Sequence, residues 1–215
     1  MSSREAPSES RTERRKEETR RKIISVAMEL FHSLGFDATT MEQIAEEADI
    51  ARKTLYNHFP VKEAILEEYV RRLAQDNAGA VPAVMEKLPD TQARLIALLY
   101  GGLENVMADL GQELLERYTV YHARNLYQLV KEPGLRSGIN DFYAGVFAQG
   151  QETGEIRPDI PSEVLATKLR LMHNYTVMSW LADPESFPLL ENVTGDVEIF
   201  LEGAGNRPEN NRQDN

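Results

Sequence analysis

The chain has 215 residues, enough for one large domain or a small domain joined to a larger one, and its apolar fraction of 41% suits a packed core and excludes general disorder. Cysteine is absent, which excludes a disulfide framework and thiolate chemistry and suits a reducing cytosol. The net charge of −11 argues against a polyanion as partner only until it is apportioned: residues 1–62 hold 11 Lys/Arg against 11 Asp/Glu, while residues 63–215 hold 13 against 24.

The first segment, "MSSREAPSESRTERRKEETRRK", has no apolar stretch to serve as a signal peptide. Its residues 11–22 carry seven cations (Arg11, Arg14, Arg15, Lys16, Arg20, Arg21, Lys22) against Glu13, Glu17 and Glu18, a local balance of +4. A solvated, charge-mixed terminus and a polyanion-contacting one both read this way. Ile23, Ala27, Leu30 and Leu34, with Ile24 and Phe31 beside them, predict an amphipathic helix from about residue 17 to 34, which leaves 1–16 as a flexible charged arm. Gly35 supplies a left-handed stop, and Phe36 is expected to fold back on Phe31. A short second helix runs from Thr40, where Thr40-x-x-Gln43 reads as a capping box, to Ala48. A third covers Arg52 to His58 and is ended by Pro60. A fourth starts near Lys62 with Ile65, Leu66, Tyr69, Val70 and Leu73 as its apolar side, and "NAGAVP" (77–82) bends or ends it.

"KLPDT" (87–91) precedes a fifth helix whose apolar stripe is Leu95, Leu99, Val106 and Leu110. Gly101 and Gly102 interrupt it at about 1 kcal/mol each relative to alanine, so a kink or a close contact is expected there. A sixth helix spans about 112–131, "EPGL" follows, and a seventh reaches about Thr153. "GEIRPDIP" is a loop. An eighth helix (about 161–182) and a ninth (about 187–203) follow, and the polar tail at 206–215 is expected to be disordered. No alternating strand pattern is present, and no run approaches the ~18 apolar residues of a membrane span. The fold class is therefore all-α with about nine helices, and a cytoplasmic protein without membrane contact is expected.

A short helix, a tight turn and a second short helix is the layout of the helix-turn-helix. Its core falls on Ile44, Ala48, Ile50, Leu55 and Phe59, and Ala45 allows the close approach of the two helices. At 100° per residue, Arg52, Lys53, Tyr56 and Asn57 share one face of the third helix, opposite Leu55 and Phe59. Arg and Lys reach guanine edges or phosphates, Asn pairs with adenine, and Tyr hydroxyls bind phosphate oxygens. An ordinary helix hairpin with a solvated charged face has the same spacing.

The stretch "ATTMEQIAEEADIARKTLYNHFPVKEAIL" (38–66) resembles the N-terminal signature of TetR-type transcriptional regulators, in its Thr, its Ile-Ala, its Leu-Tyr-x-His-Phe and its Lys-Glu. The motif match covers about residues 20–70, and "FAQGQETGEIRPDIPSEVLA" (147–166) extends a looser likeness over most of the chain. The resemblance implies that Thr40, Tyr56, His58 and Lys62 grip phosphates while Arg52, Lys53 and Asn57 face the bases. Three positions depart from the pattern. Asp49 stands where a glycine is usual, at a turn residue wanting positive φ, and Ala51 and Val61 replace the usual serine at two helix starts.

The implied organisation is a helix-turn-helix domain at 17–65 and a helical effector-binding and dimerisation domain at 66–205. For a homodimer interface in the last two helices, the sequence offers Leu165, Leu169, Met172, Thr176 and Trp180 as one apolar stripe. Leu190, Val193, Val197, Phe200 and Leu201 form the other. For an effector pocket among the middle helices it offers Tyr100, Glu104, Met107, Tyr118, Tyr121, His122, Asn125, Phe142, Phe147 and His173, with Asn174 beside the last. Core aromatics and hydrogen-bonded structural histidines fit the same positions.

The function implied is a regulator, a repressor in the simplest form, that binds a near-palindromic double-stranded DNA operator as a homodimer and is released by a small-molecule effector. An all-α enzyme is the rival of another class, but no G-x-S-x-G, H-E-x-x-H, P-loop or G-x-G-x-x-G motif is present. His32, His58, His122 and His173 lack metal-ligand spacing, so neither metal, cofactor nor catalytic residue is expected. The remaining rival is a helical protein-interaction or small-molecule-binding module that does not read DNA.

Overall fold

The computed structural model describes residues 11–131 and 139–204, and all their regular structure is helical. The elements are α1 (Arg11–Leu34), α2 (Met41–Glu47), α3 (Arg52–His58), α4 (Lys62–Asn77), a 3₁₀ turn (Ala78–Ala80), α5 (Val81–Met85), α6 (Thr91–Lys131), α7 (Ile139–Glu152), α8 (Ser162–Ala182) and α9 (Leu189–Ala204). The chain divides into two compact units, Met1–Tyr69 and Val70–Asn215. The sequence-based boundary lay four residues earlier. Residues 1–10, "EPGL" and the tail at 206–215 lie outside the described residues.

In the first unit α1 begins at Arg11, so residues 11–16 are helix and not part of an arm. The apolar period marks only turns that meet the core. The preceding turns rest on the good helix propensity of Arg, Lys and Glu and on pairs such as Arg21–Glu17 at 3.1 Å. Ile23, Ile24, Ala27, Met28 and Phe31 are buried on α1. They share the core with Phe36, Met41, Ile44, Ala45, Leu55, Phe59, Ile65 and Leu66. Gly35 ends α1 at φ +88, and the Phe31 and Phe36 rings meet at 4.8 Å as expected.

The second unit packs α6, α7, α8 and α9 around Leu95, Leu99, Val146, Phe147, Ile156, Leu165, Leu169, Val193 and Val197. "NAGAVP" becomes the 3₁₀ turn followed by α5, with Pro82 tolerated in the first turn of that short helix. Neither the expected kink nor a close contact occurs at Gly101 and Gly102: both sit in regular helix, and a Cβ at either would meet nothing within 4 Å. The kink falls at Gly111, whose φ of 71° and ψ of 170° leave the helical region, and this is where the predicted fifth and sixth helices divide.

Candidate nucleic-acid interface and interior cavity

α2 is closed at both ends by local hydrogen bonds. At its upstream end the Thr40 hydroxyl accepts from the Gln43 N–H at 3.2 Å, and Gln43 Oε1 accepts from the Thr40 N–H at 2.8 Å, completing the capping box. At its downstream end the Ile50 N–H donates to the Ala45 carbonyl and the Asp49 N–H to the Glu46 carbonyl, each at 3.0 Å. That pair is a Schellman motif, and it holds Asp49 in the left-handed region at φ 50°. Ala51 then starts α3 with no side-chain cap, as its methyl group requires.

Leu55 is fully buried and Phe59 nearly so, which fixes the rotation of α3 and turns its other side outward. Arg52, Lys53, Tyr56 and Asn57 are all exposed, with Tyr56 at 46% despite its size. The Arg52 guanidinium lies 3.9 Å from Glu42 in a solvated pair that polyanion contact would displace at little cost. Thr40 is exposed at the start of α2. His58 is half-buried, its Nδ1 is buried without a hydrogen-bond partner, and burial, then Arg20 and Lys16, hold its pKa below the usual imidazole value. The lowered pKa favours the neutral ring, which keeps one N–H to donate.

Lys62 differs from expectation. Its ammonium donates to the Phe36 carbonyl and, at 2.8 Å, to the Thr39 carbonyl, and it lies 4.5 Å from the centroid of the Phe36 ring. These bonds turn the charge toward the loop that delivers Thr40, so Lys62 braces the start of α2 and has at most one proton left for an outside oxygen. Sequence spacing also missed the role of Arg20. Its guanidinium stacks 4.5 Å from the Phe59 ring centroid, donates to the His58 carbonyl at 3.3 Å and pairs with Glu68 at 3.4 Å. One α1 side chain thus ties down the end of α3. The only sequence signal for this was an arginine one turn before the apolar stripe of α1.

The second unit contains a cavity of about 410 Å³, within the range of small-molecule sites. Its walls come from α4 from Val70 onward, from α5, from both halves of α6, and from α7 and α8, with Leu73, Leu98, Val106, Phe142 and Val177 among the apolar lining. Gly101 and Gly102 border it, and a Cβ added at either would meet nothing within 4 Å. Of the residues expected to form a pocket, Tyr118, His122, Phe142 and His173 line it, as does Asn174. The Tyr118 and His122 rings lie 5.5 Å apart.

Tyr100, Glu104, Met107, Tyr121, Asn125 and Phe147 are not in the lining. Phe147 is fully buried in the core against Phe200, with ring centroids 5.7 Å apart. Asn125 donates to the Tyr121 carbonyl one turn back. Tyr100 is hydrogen-bonded to Glu104, which with burial raises its pKa. The lining residues missed by sequence reasoning include Asn77, Asn105, Thr119, Tyr143 and Arg170.

The stripes assigned to a dimer interface fall largely inside the unit. Leu165, Leu169, Thr176, Val193 and Val197 are buried core residues, so they have no surface left to meet a second copy. Thr176 donates to Asp196 across α8 and α9. Met172, Trp180, Phe200 and Leu201 are half-buried and Leu190 is exposed. The exposed apolar side of α8 is a different one: Val164, Leu171, Tyr175 and Met178, which the helical period places on one face.

Residues 23–69 match the family model of bacterial regulatory proteins, tetR family. Over 153 residues the chain is 29% identical to the HTH-type transcriptional repressor KstR2 of Rhodococcus jostii, covering 70% of this chain and 74% of that one. It is 25% identical to the HTH-type transcriptional regulator AcrR of Shigella flexneri over 89% of this chain and 92% of that one. Among solved structures it is similar to Thermus thermophilus FadR, a TetR-family transcriptional repressor in complex with lauroyl-CoA. That likeness has a TM-score of 0.70 and 25% identity over 89% of this chain and 97% of that one.

Proposed function

We propose that the chain, whose residues 23–69 match the tetR family of bacterial regulatory proteins, acts as a regulator of that kind: it binds a near-palindromic DNA operator as a homodimer and is released by a small molecule held in the cavity of its second unit. The observation that carries this reading is the outward face of α3: Arg52, Lys53, Tyr56 and Asn57 are exposed together on a short helix whose rotation is fixed by buried Leu55. In this reading Arg52, Lys53 and Asn57 face base edges, while Thr40, Tyr56 and His58 hold phosphates. Lys62 acts chiefly as a brace. DNA as partner implies a cytoplasmic setting, and no helix among the described residues is long and apolar enough to cross a membrane. No catalytic residue is assigned.

One short recognition helix gives modest affinity, so two copies reading half-sites about one DNA turn apart are expected. The dimer face is the exposed apolar side of α8, where Tyr175 is 73% exposed. The FadR likeness and the 410 Å³ cavity support an effector with a substantial apolar part. Such an effector would act by binding better to a form with weak DNA affinity. A coupling of ~1–3 kcal/mol lowers operator affinity roughly 5- to 150-fold.

The test is selection from random duplexes by the purified protein beside an Arg52→Ala/Lys53→Ala control. Recovery of a near-palindrome by the wild type alone supports the reading. If neither protein selects a sequence at low salt, the reading fails, because the electrostatic contribution to binding is then at its strongest. With the operator in hand, Lys53→Ala should change base preference and Tyr56→Phe should weaken all sequences alike. Tyr175→Lys should shift the protein toward monomer in sedimentation.

A further inference from the structure

The cavity is apolar, yet it is not neutral. Its described lining contains one Lys or Arg, Arg170, and no Asp or Glu. Among the described residues Arg170 makes no ion pair. Its guanidinium instead lies 6.0 Å from the centroid of the Tyr143 ring, whose hydroxyl donates to the Leu98 carbonyl at 3.5 Å. Tyr143 offers no counter-charge either, since burial pushes its phenol up to about 12. One helical turn away on the same face, His173 presents a buried Nδ1 with no hydrogen-bond partner. Buried polar atoms are normally hydrogen-bonded, so an orphaned ring nitrogen beside a half-buried cation in an apolar cavity describes the missing half of an interaction.

We propose that the effector is an amphiphile whose apolar body fills the cavity and whose compact oxyanion, a carboxylate or a phosphate monoester, is gripped by the Arg170 guanidinium and by an N–H donated from His173. This inference deepens the effector reading above and rests on it. A guanidinium presents paired N–H donors that match either oxyanion, and Tyr143 beneath it holds the fork in place. His173 adds a donor without adding charge, because its buried ring stays neutral near pH 7. The apolar body has room beside Gly101, where a side chain is missing from the wall.

The experiment is calorimetric titration of the full-length protein with dodecanoate, dodecyl phosphate, dodecanol and dodecanoyl-CoA, which share one apolar body. At least one of the two oxyanions is expected to bind about tenfold or more tighter than dodecanol, and whichever is tighter identifies the head. Arg170→Gln should erase that preference while leaving dodecanol affinity within about threefold, which also reports that the cavity has folded. His173→Phe should weaken the oxyanion by roughly threefold to tenfold. Gly101→Leu, which fills the wall without breaking the helix, should weaken all four probes alike.

Dodecanol binding as tightly as both oxyanions would overturn the proposal without any variant. So would equal losses of dodecanol and oxyanion in Arg170→Gln, or a preference for the coenzyme A ester that Arg170→Gln leaves intact. Binding of none of the four overturns it as well. Operator selection in the absence of ligand is a separate readout, so these failures leave the DNA-binding reading standing.

Discussion

The guanidinium of Arg20 lies 4.5 Å from the ring centroid of Phe59, so a charged residue of α1 caps the apolar end of the recognition helix. The same group bonds the His58 carbonyl and pairs with a Glu68 side chain that is only 11% exposed. Arg20→Met keeps most of the apolar stem and removes the charge. It is expected to cost about 1–2 kcal/mol of stability and to weaken operator binding although Arg20 is not assigned to the groove. A double-mutant cycle with Phe59→Leu should return a coupling of at least about 0.5 kcal/mol, and additive losses would refute the stacking.

Asp49 adopts φ 50° because the Ile50 and Asp49 N–H groups are both returned to the end of α2. Asp49→Gly relieves that conformation and should stabilise the protein by roughly 0.5 kcal/mol, whereas Asp49→Val should destabilise it by about 1–2 kcal/mol. Ala51→Ser restores a missing cap at the start of α3 and should add about 1 kcal/mol. Urea midpoints decide all three, and a destabilised glycine variant would contradict the left-handed turn.

His173 is pushed down to about 4 by its burial first and by Arg170 second, against an ordinary 6.5. Between those two values the unfolded chain takes up a proton that the folded chain refuses, so stability is full above about pH 6.5 and declines as the pH falls toward 4. At about pH 5 the loss is on the order of 2 kcal/mol relative to a variant with no imidazole at this position. Denaturation of wild type and His173→Gln near pH 7.5 and near pH 5 measures it. Equal acid sensitivity would mean that the ring is not held neutral.

Gly150 on α7 packs so closely that a Cβ would sit 2.5 Å from Thr91 Oγ1 and 2.7 Å from Ile156 Cγ1. Both neighbours are packed on every side, Ile156 being 2% and Thr91 1% exposed, so neither yields without disturbing the core. Gly150→Ala should therefore destabilise the protein by about 1–3 kcal/mol, in spite of the better helix propensity of alanine. A higher melting temperature for the variant would show that the propensity gain prevails.

How far the sequence reached depended on the range of the interactions. The capping box at Thr40, the positive φ at Asp49 and the outward face of α3 are set by residues within a few positions of one another, and all were legible. Arg20 acts on a carbonyl and a ring 38 and 39 positions away and Lys62 on carbonyls 23 and 26 positions away, and no spacing rule finds such partners. α8 defeated the reading for a different reason. It is apolar on two sides, Leu165 and Leu169 on one and Leu171, Tyr175 and Met178 on the other, so periodicity located a stripe without saying which stripe the core had already claimed. The cavity residues divide in the same way. Tyr118 and Phe147 both sit at helical spacing among apolar neighbours, yet one lines the cavity and the other fills the core. Arg170 was passed over because a single arginine on a helix ordinarily reads as solvated.

The break at Gly111 divides the wall of the cavity into two parts with separate loads. Upstream of it, Leu95 and Leu99 anchor α6 in the main core, while Gly101 and Val106 border the open space. Downstream, Tyr118, Thr119, His122 and Ala123 contribute lining from a segment whose direction is set by one backbone conformation that only glycine adopts readily. Substitutions in the downstream segment can therefore reshape one side of the cavity without unpicking the packing around Leu95 and Leu99. Ligand preference in such a chain is free to drift under selection while the scaffold and the recognition helix stay as they are.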